Sequence, residues 1–443
     1  MNVLRNWAAA IAVACMLALP GWAGEIPRAK PEAVGMSSER LAKVKSKVQK
    51  MVDDGKIAGA VTMVARRGKI VHFETYGLRD LDEKKPVAKD TIMRFYSMSK
   101  PITTVAAMML YDEGKLKLDE PVETYVPEMK GLKVYHATEP VKPNRKVTVR
   151  DLMRHTSGLT YGIFGNSPVD QIYKKERIIG SRDLQSMVEK LGRIPLMHQP
   201  GTRWHYSVST DVLGCLVEKV SGRKLDVFLR DRIFKPLDMR DTAFFVPKAK
   251  VDRFSSCYSP GSGGLKVQDR FNASRYLTPP SFLSGGGGLV STARDYMRFC
   301  QMLIHKGDLF GSRVLKAETV GMMTKNQLPQ DVHWGGKNGF GLGFSVQTQD
   351  GGSSAHVGEY GWGGAASTHF WISPKDDLAV VALSQLMPFS AQLQNAVKPL
   401  VYEAIVDKPT EPVSGWHNGR WAQSPQARDI DKDNLETFRL YVQ

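Results

Sequence analysis

The chain has 443 residues, 42% of them hydrophobic and 24% charged, a globular balance that excludes a disordered or low-complexity polypeptide and suffices for a sizeable core. Its formal net charge of +16 permits attraction to anionic surfaces such as envelope polymers or acidic lipid headgroups. Lysines and arginines are spread along the chain and nothing resembles a nucleic-acid module, so a solvated basic surface is the simpler reading and no nucleic-acid partner is expected.

The opening residues, MNVLRNWAAAIAVACMLALPGWAGE, place Arg5 ahead of an apolar run from Trp7 to Leu19 that ends at small residues. This reads as a signal peptide over residues 1–23, cut after Ala23, and predicts an exported protein, periplasmic or secreted. The run is too short to span a bilayer comfortably, and no later window offers about 18 uninterrupted apolar residues, so no transmembrane segment is expected. Cys15 raises a lipoprotein reading, but IAVA before it is a poor lipidation box, and cutting there would leave apolar MLALPGW behind. Cys215, Cys257 and Cys300 are odd in number and lack C-x-x-C spacing, which argues against a disulfide framework or a zinc site.

SSERLAKVKSKVQKMVDDG carries Leu41, Val44, Val48, Met51 and Val52 at helical spacing, with Ser37 or Ser38 as cap and Gly55 as stop. AGAVTMVARRGKIVHFETYG gives two β-rich runs about a turn at Arg67, Gly68 and Lys69, a hairpin. A helix follows from Met98 to Gly114, with Pro101 tolerated in a first turn whose N–H groups have no partner within the helix. Helical patterns joined by Pro- and Gly-rich loops then run to about Gly307. The last third returns to strand character in GFGLGFSVQTQDGG and STHFWISPKDDLAVVALSQL, the latter turning at Pro374 to Asp377, before a helix from Pro388 to Ile405. Strands at both ends with helices between predict an α+β fold: one antiparallel sheet flanked by N- and C-terminal helices, with an inserted, mainly α-helical subdomain. The expected boundaries are 24–115 and 308–406 for the discontinuous sheet domain, 116–307 for the insert, and 407–443 for a polar tail in which Trp416 and Trp421 hint at partial docking. No internal repeat is evident.

The stretch FYSMSKPITT puts Ser97 and Lys100 three positions apart at a helix start. Positions i and i+3 share a helix face, so the amine can reach the hydroxyl. A serine is a weak nucleophile until a base removes its proton, and a lysine amine in a desolvated pocket can serve, because burial disfavours the charged form. Free N–H groups and the positive dipole end of the helix also suit a developing oxyanion. S-x-x-K alone is weak: Ser221 to Lys224 repeats it at the polar end of another helix. Corroboration comes from PGTRWHYSVSTDVLG, where Tyr206 sits between a Pro–Gly turn and a helical pattern, placed to project into a cleft as a proton-transfer group.

FYSMSK, LMRHTSGL, WHYSVSTDVLG, SGGGGLVSTARDYMRF, GFGLGF and GWGGAASTHFWISP, in this order over about Ala58 to Leu386, resemble the serine β-lactamase and penicillin-recognising (transpeptidase-like) fold, in particular class C β-lactamase-like hydrolases and family VIII carboxylesterases. The resemblance implies that Ser97 is the acylated nucleophile, Lys100 its proton-transfer partner, and Tyr206 a general base that also activates water for deacylation. It implies an oxyanion hole made by the backbone N–H groups of Ser97 and Ala365.

Two departures bear on substrate. Class C enzymes have Y-x-N where this chain has Val208, which cannot hydrogen-bond a β-lactam side-chain amide. They have a K-T-G strand, and here Trp362, Gly363 and Gly364 take its place, similar to the W-G-G of family VIII esterases. A rival register places the third motif at His356-Val357-Gly358, an H-x-G variant seen in related D-aminopeptidases; on the Trp362 register His356 falls in a loop near the pocket. An indole in place of a cation favours neutral acyl groups.

HTSGL at His155 to Leu159 reads as a structural turn, and Gly285 to Gly288 as backbone geometry, since no G-x-x-x-x-G-K-[ST] follows. G-x-S-x-G and H-E-x-x-H are absent. The sequence therefore predicts an exported serine hydrolase on small or medium acyl esters, needing no cofactor or metal, with a small-molecule ester or amide as its partner. A β-lactamase or D-amino-acid peptidase is the rival within the enzyme class, and a catalytically silent scaffold the rival outside it.

Overall fold

The computed structural model describes residues 24–336, 338–351 and 355–407. The expected signal peptide and the docking of Trp416 and Trp421 lie outside the described residues. Helix α1, Ser38–Asp53, starts where Ser37 caps it by accepting the Arg40 N–H, and buries Leu41, Val44, Val48 and Met51. Strands β1, Gly59–Arg66, and β2, Lys69–Asp80, form the expected hairpin. Arg67 and Gly68 turn it with φ of 49° and 70°, the double left-handed geometry that matches strand twist. Strand β3 is Lys85–Pro86.

Helix α2, Ser99–Asp112, is buried over its first three turns. The region after it holds short helices, including Val149–Met153 and Leu184–Leu191, and helix α3, Ser209–Ser221, which packs across α2. Helix α4, Ala293–Ile304, falls inside the expected insert of 116–307 yet packs on the sheet against β1 and the strand Leu378–Ser384. Its amphipathic pattern marks a buried face without saying which surface covers it.

The last third supplies β4, Asn338–Phe340, β5, Ser345–Gln347, β6, Tyr360–Gly364, β7, Thr368–Ser373, and β8, Leu378–Ser384. Helix α5, Gln392–Glu403, begins four residues later than the expected Pro388. These strands and the N-terminal ones form a single eight-stranded antiparallel sheet in the order β4-β5-β6-β7-β8-β1-β2-β3. Chain ends meet at its centre, where β1 pairs with β8 from Ala60 opposite Ser384 to Arg66 opposite Leu378. Both strands are buried at every position, because α1 and α5 cover one face while α2 and α4 cover the other. That double cover explains why they read as continuous apolar runs rather than alternating ones. The larger core runs without a break from the α2/α4 face of the sheet into the helical region, and the cleft lies where the two meet.

Candidate active site

Ser97 occupies a single 3-10 turn, Tyr96–Met98, directly before α2. Tyr96 has a φ of 43°, a left-handed conformation uncommon for a bulky residue. The surroundings enforce it: the Phe95 N–H donates to Leu289 O at 3.0 Å, and β6 presses on the Phe95 carbonyl so closely that a Cβ on Gly364 would stand 2.1 Å from it. Only glycine allows that approach. It brings Ala365, the next residue, into the cavity beside Ser97.

Lys100, in the first turn of α2, is 1% exposed. Its Nζ donates to Ser97 Oγ at 3.3 Å, to Tyr161 OH at 3.1 Å and to Gly286 O at 2.7 Å. It also lies over the Tyr206 ring, 4.6 Å from the centroid. The structure thus brings Ser97, Lys100 and Tyr206 together.

Tyr161, two residues past HTSGL, was not singled out from sequence, where nothing but that position marked it. Burial, and then the nearby Asp211 carboxylate, push its phenol well above the usual range, so it stays protonated. Asp211 lies in the first turn of α3, where its Oδ1 accepts from Ser284 Oγ at 2.6 Å and from the Gly286 N–H at 3.1 Å. Burial raises its pKa while the Lys100 charge pulls the other way. The glycine run is backbone geometry as expected: a Cβ on Gly286 would lie 2.5 Å from Asp211 Oδ2 and 3.1 Å from Tyr161 OH. The close approach brings the Gly286 carbonyl to the lysine.

His155 is buried with a φ of 57°, its ring 4.9 Å from that of Tyr206. Burial, with the Lys100 charge adding to it, holds it neutral. It props the tyrosine wall and does not touch Ser97 Oγ, which fits the structural reading.

The cavity over Ser97 has a volume of about 780 Å³ and is lined by Tyr206, Trp362, Gly363, Gly364 and Ala365 among others. Tyr206, Trp334 and Trp362 line it, with Trp204 and Phe340 packed against them. Trp362 lies 5.7 Å from Tyr206, 5.5 Å from Trp334 and 5.2 Å from Phe340 between ring centroids, and Trp204 stacks on Tyr206 at 6.0 Å. Lys398 is the only Lys or Arg among the described residues that line the cavity, and it is bonded to Glu359.

Two expected pocket residues do not line this cavity. Val208 is fully buried at the entry to α3, its side chain in the core. His356 lies against α5, where its Nδ1 is 2.6 Å from Asp376 Oδ2 and its ring 5.5 Å from that of Tyr402. His356 is thus absent from the cavity lining, whereas strand β6 carries Trp362 into it.

The described residues contain no group of three or more His, Cys, Asp or Glu placed to hold a metal ion. Cys215, Cys257 and Cys300 are free and buried. No helix among the described residues is long and apolar enough to cross a membrane.

A buried lysine between a serine at a helix start and two tyrosines, on an α+β frame of this topology, defines a class of acyl-transferring serine enzymes. The chain matches the Beta-lactamase family over residues 44–402 and belongs to it. Protein Rv1367c of Mycobacterium tuberculosis is 35% identical over 366 residues, covering 77% of this chain and 89% of that protein. Esterase EstB of Burkholderia gladioli is 28% identical over 400 residues, covering 84% of this chain and 98% of its own. Among solved structures, EstCE1, described as a hydrolase with promiscuous acyltransferase activity, matches with a TM-score of 0.72 at 26% identity, over 82% of this chain and 99% of that one. The protein is an enzyme of the β-lactamase-fold serine hydrolase class, with esterase and acyltransferase relatives.

Proposed function

We propose that the protein is an exported carboxylesterase that acts on small or medium acyl esters through an acyl-enzyme on Ser97. Ser97 Oγ attacks the ester carbonyl as its proton passes to the Lys100 and Tyr206 pair. The tetrahedral oxyanion is received by the backbone N–H groups of Ser97 and Ala365. Collapse breaks the C–O bond to the alcohol, which leaves with the proton held by the pair. Water then attacks the acyl-enzyme, losing its proton to the same pair, and the acid is released with Ser97 restored. An alcohol in place of water would give acyl transfer, and the relative EstCE1 supports a site that tolerates both.

One observation favours esters over β-lactams: Trp362 lines the cavity on the strand where the resemblance expects a cation for a substrate carboxylate, and the only Lys or Arg among the described lining residues, Lys398, is already bonded to Glu359. An aromatic wall desolvates apolar acyl chains and gives a carboxylate no partner. The rival β-lactamase and peptidase readings need that partner, and the silent-scaffold reading gives no reason for a fully bonded Lys100 beside Ser97. Export rests on the N-terminal pattern.

The discriminating experiment compares kcat/KM for p-nitrophenyl butyrate and nitrocefin, with Ser97→Ala alongside. A preference of at least about a hundredfold for the ester, abolished by Ser97→Ala, is the expected result. Equal or better turnover of nitrocefin would replace the esterase with a β-lactamase. N-terminal sequencing of the protein recovered outside the cytoplasm, beginning at Gly24, tests the export.

A further inference from the structure

Of the eight exposed large apolar side chains among the described residues, three stand at the mouth of this one cavity: Ile163, Phe164 and Phe389, exposed by 51%, 71% and 53%. They come from two loops more than two hundred residues apart in sequence. Neither loop leaves them as isolated decoration. The Phe164 ring lies 5.4 Å from Tyr161 and 5.9 Å from Tyr206, and the Phe389 ring lies 5.2 Å from His369, which also lines the cavity. An apolar surface therefore runs from bulk solvent to the tyrosines beside Ser97.

Exposed apolar side chains that rim a cleft mark a surface covered by something in use. The charges at this mouth indicate what. Lys174 Nζ donates to Gly165 O at 3.1 Å, which places a cation next to Phe164. Glu359 is the only carboxylate among the described lining residues, and it is buried and bonded to Lys398 and Tyr402. No free negative charge among the described lining residues opposes an anionic surface, and the chain as a whole carries +16. Apolar anchors with a cation beside one of them, on a chain of net positive charge, fit attachment to anionic lipid.

We propose that the cavity mouth docks on an anionic phospholipid surface through Ile163, Phe164 and Phe389, and that esters presented at that surface are preferred substrates. The substrate half deepens the esterase reading and rests on it. The docking half stands independently of turnover.

The test uses the chain from Gly24 onwards, which contains all of the described fold, carrying Ser97→Ala so that binding is read without hydrolysis. It is sedimented with vesicles of phosphatidylglycerol and phosphatidylcholine mixed, and with phosphatidylcholine alone. The expected result is partition to the mixed vesicles at least about tenfold above that to phosphatidylcholine, falling by a similar factor in Phe164→Ser with Phe389→Ser while the circular dichroism spectrum is unchanged. No sedimentation with the mixed vesicles, or equal sedimentation of the double variant, would overturn docking at this rim. So would a concentration-dependent dimer that the double variant abolishes, since a second copy would then cover the patch. For the active protein, p-nitrophenyl decanoate carried in the mixed vesicles should be cleaved faster than in phosphatidylcholine vesicles, and equal rates would overturn the surface-substrate half. Failure of the esterase reading is separately visible as no turnover of dissolved p-nitrophenyl butyrate.

Discussion

The ammonium of Lys100 donates to the hydroxyl of Tyr161 at 3.1 Å. Its other tyrosine, Tyr206, faces it with the ring rather than as a hydrogen-bond acceptor. Tyr206 lines the cavity together with Ser97, whereas Tyr161 does not. Roles follow from that division: Tyr161 positions the lysine, and Tyr206 exchanges protons with the reacting groups.

Tyr161→Phe should therefore lower kcat by about 10- to 100-fold with KM within about twofold, because one of the bonds fixing Lys100 is lost. Tyr206→Phe should cost about a thousandfold or more, in the range of a lost general base. Steady-state kinetics on p-nitrophenyl butyrate separate the two, and equal losses would show that the two hydroxyls are not divided in this way.

The glycine loop carries a second prediction. Gly286→Ala inserts a methyl group 2.5 Å from Asp211 Oδ2 and 3.1 Å from Tyr161 OH, so the loop must retreat and take its carbonyl away from Lys100. Activity should fall by about two orders of magnitude, with thermal unfolding lowered by several degrees, as for other overpacked sites. Near-wild-type activity would mean that the Gly286 carbonyl does not hold the lysine.

Trp362→Lys restores a cation to β6 at the loss of ring contacts with Tyr206, Trp334 and Phe340. The ratio of kcat/KM for p-nitrophenyl hemisuccinate to that for p-nitrophenyl butyrate should rise about tenfold, the equivalent of roughly 1.4 kcal/mol in favour of the anionic acyl group. An unchanged ratio would show that position 362 does not meet the acyl chain.

Stability should respond to acid through Asp151. Burial opposes its charge, but Arg145, the Thr148 N–H and Thr156 outweigh it and hold the pKa down to about 2. A carboxyl depressed on folding stabilises the protein fully above its unfolded value near 4 and loses that contribution as pH falls toward 2. The difference in unfolding free energy between wild type and Asp151→Asn should be largest near neutral pH and shrink by about 2 kcal/mol on the way to pH 2. Urea unfolding at several pH values measures it, and a difference independent of pH would remove the charge from the explanation.

Much of this was legible in the sequence, and the parts that were not share a cause. Ser97 and Lys100 are one helical turn apart, so local geometry decides their contact, and the hairpin at Arg67 and Gly68 is fixed by two adjacent residues. Tyr161 escaped because its contact with Lys100 spans 61 positions and is set by a loop of no regular period. Val208 and His356 were expected in the pocket and lie elsewhere, because which way a side chain points at a helix entry or before a strand depends on packing that a motif does not carry. The aromatic cluster of Trp204, Trp334, Phe340 and Trp362 is assembled from separate loops and strands, and only the folded chain brings the four together.

The central claim is an acyl group carried on Ser97. Intact-mass and peptide mass spectrometry of the protein quenched in acid during turnover of p-nitrophenyl butyrate, using Tyr206→Phe to slow deacylation, tests it directly. A butyryl adduct on the peptide containing Ser97, absent from Ser97→Ala, is the expected result. Turnover without any adduct, or an adduct on another residue, would contradict it.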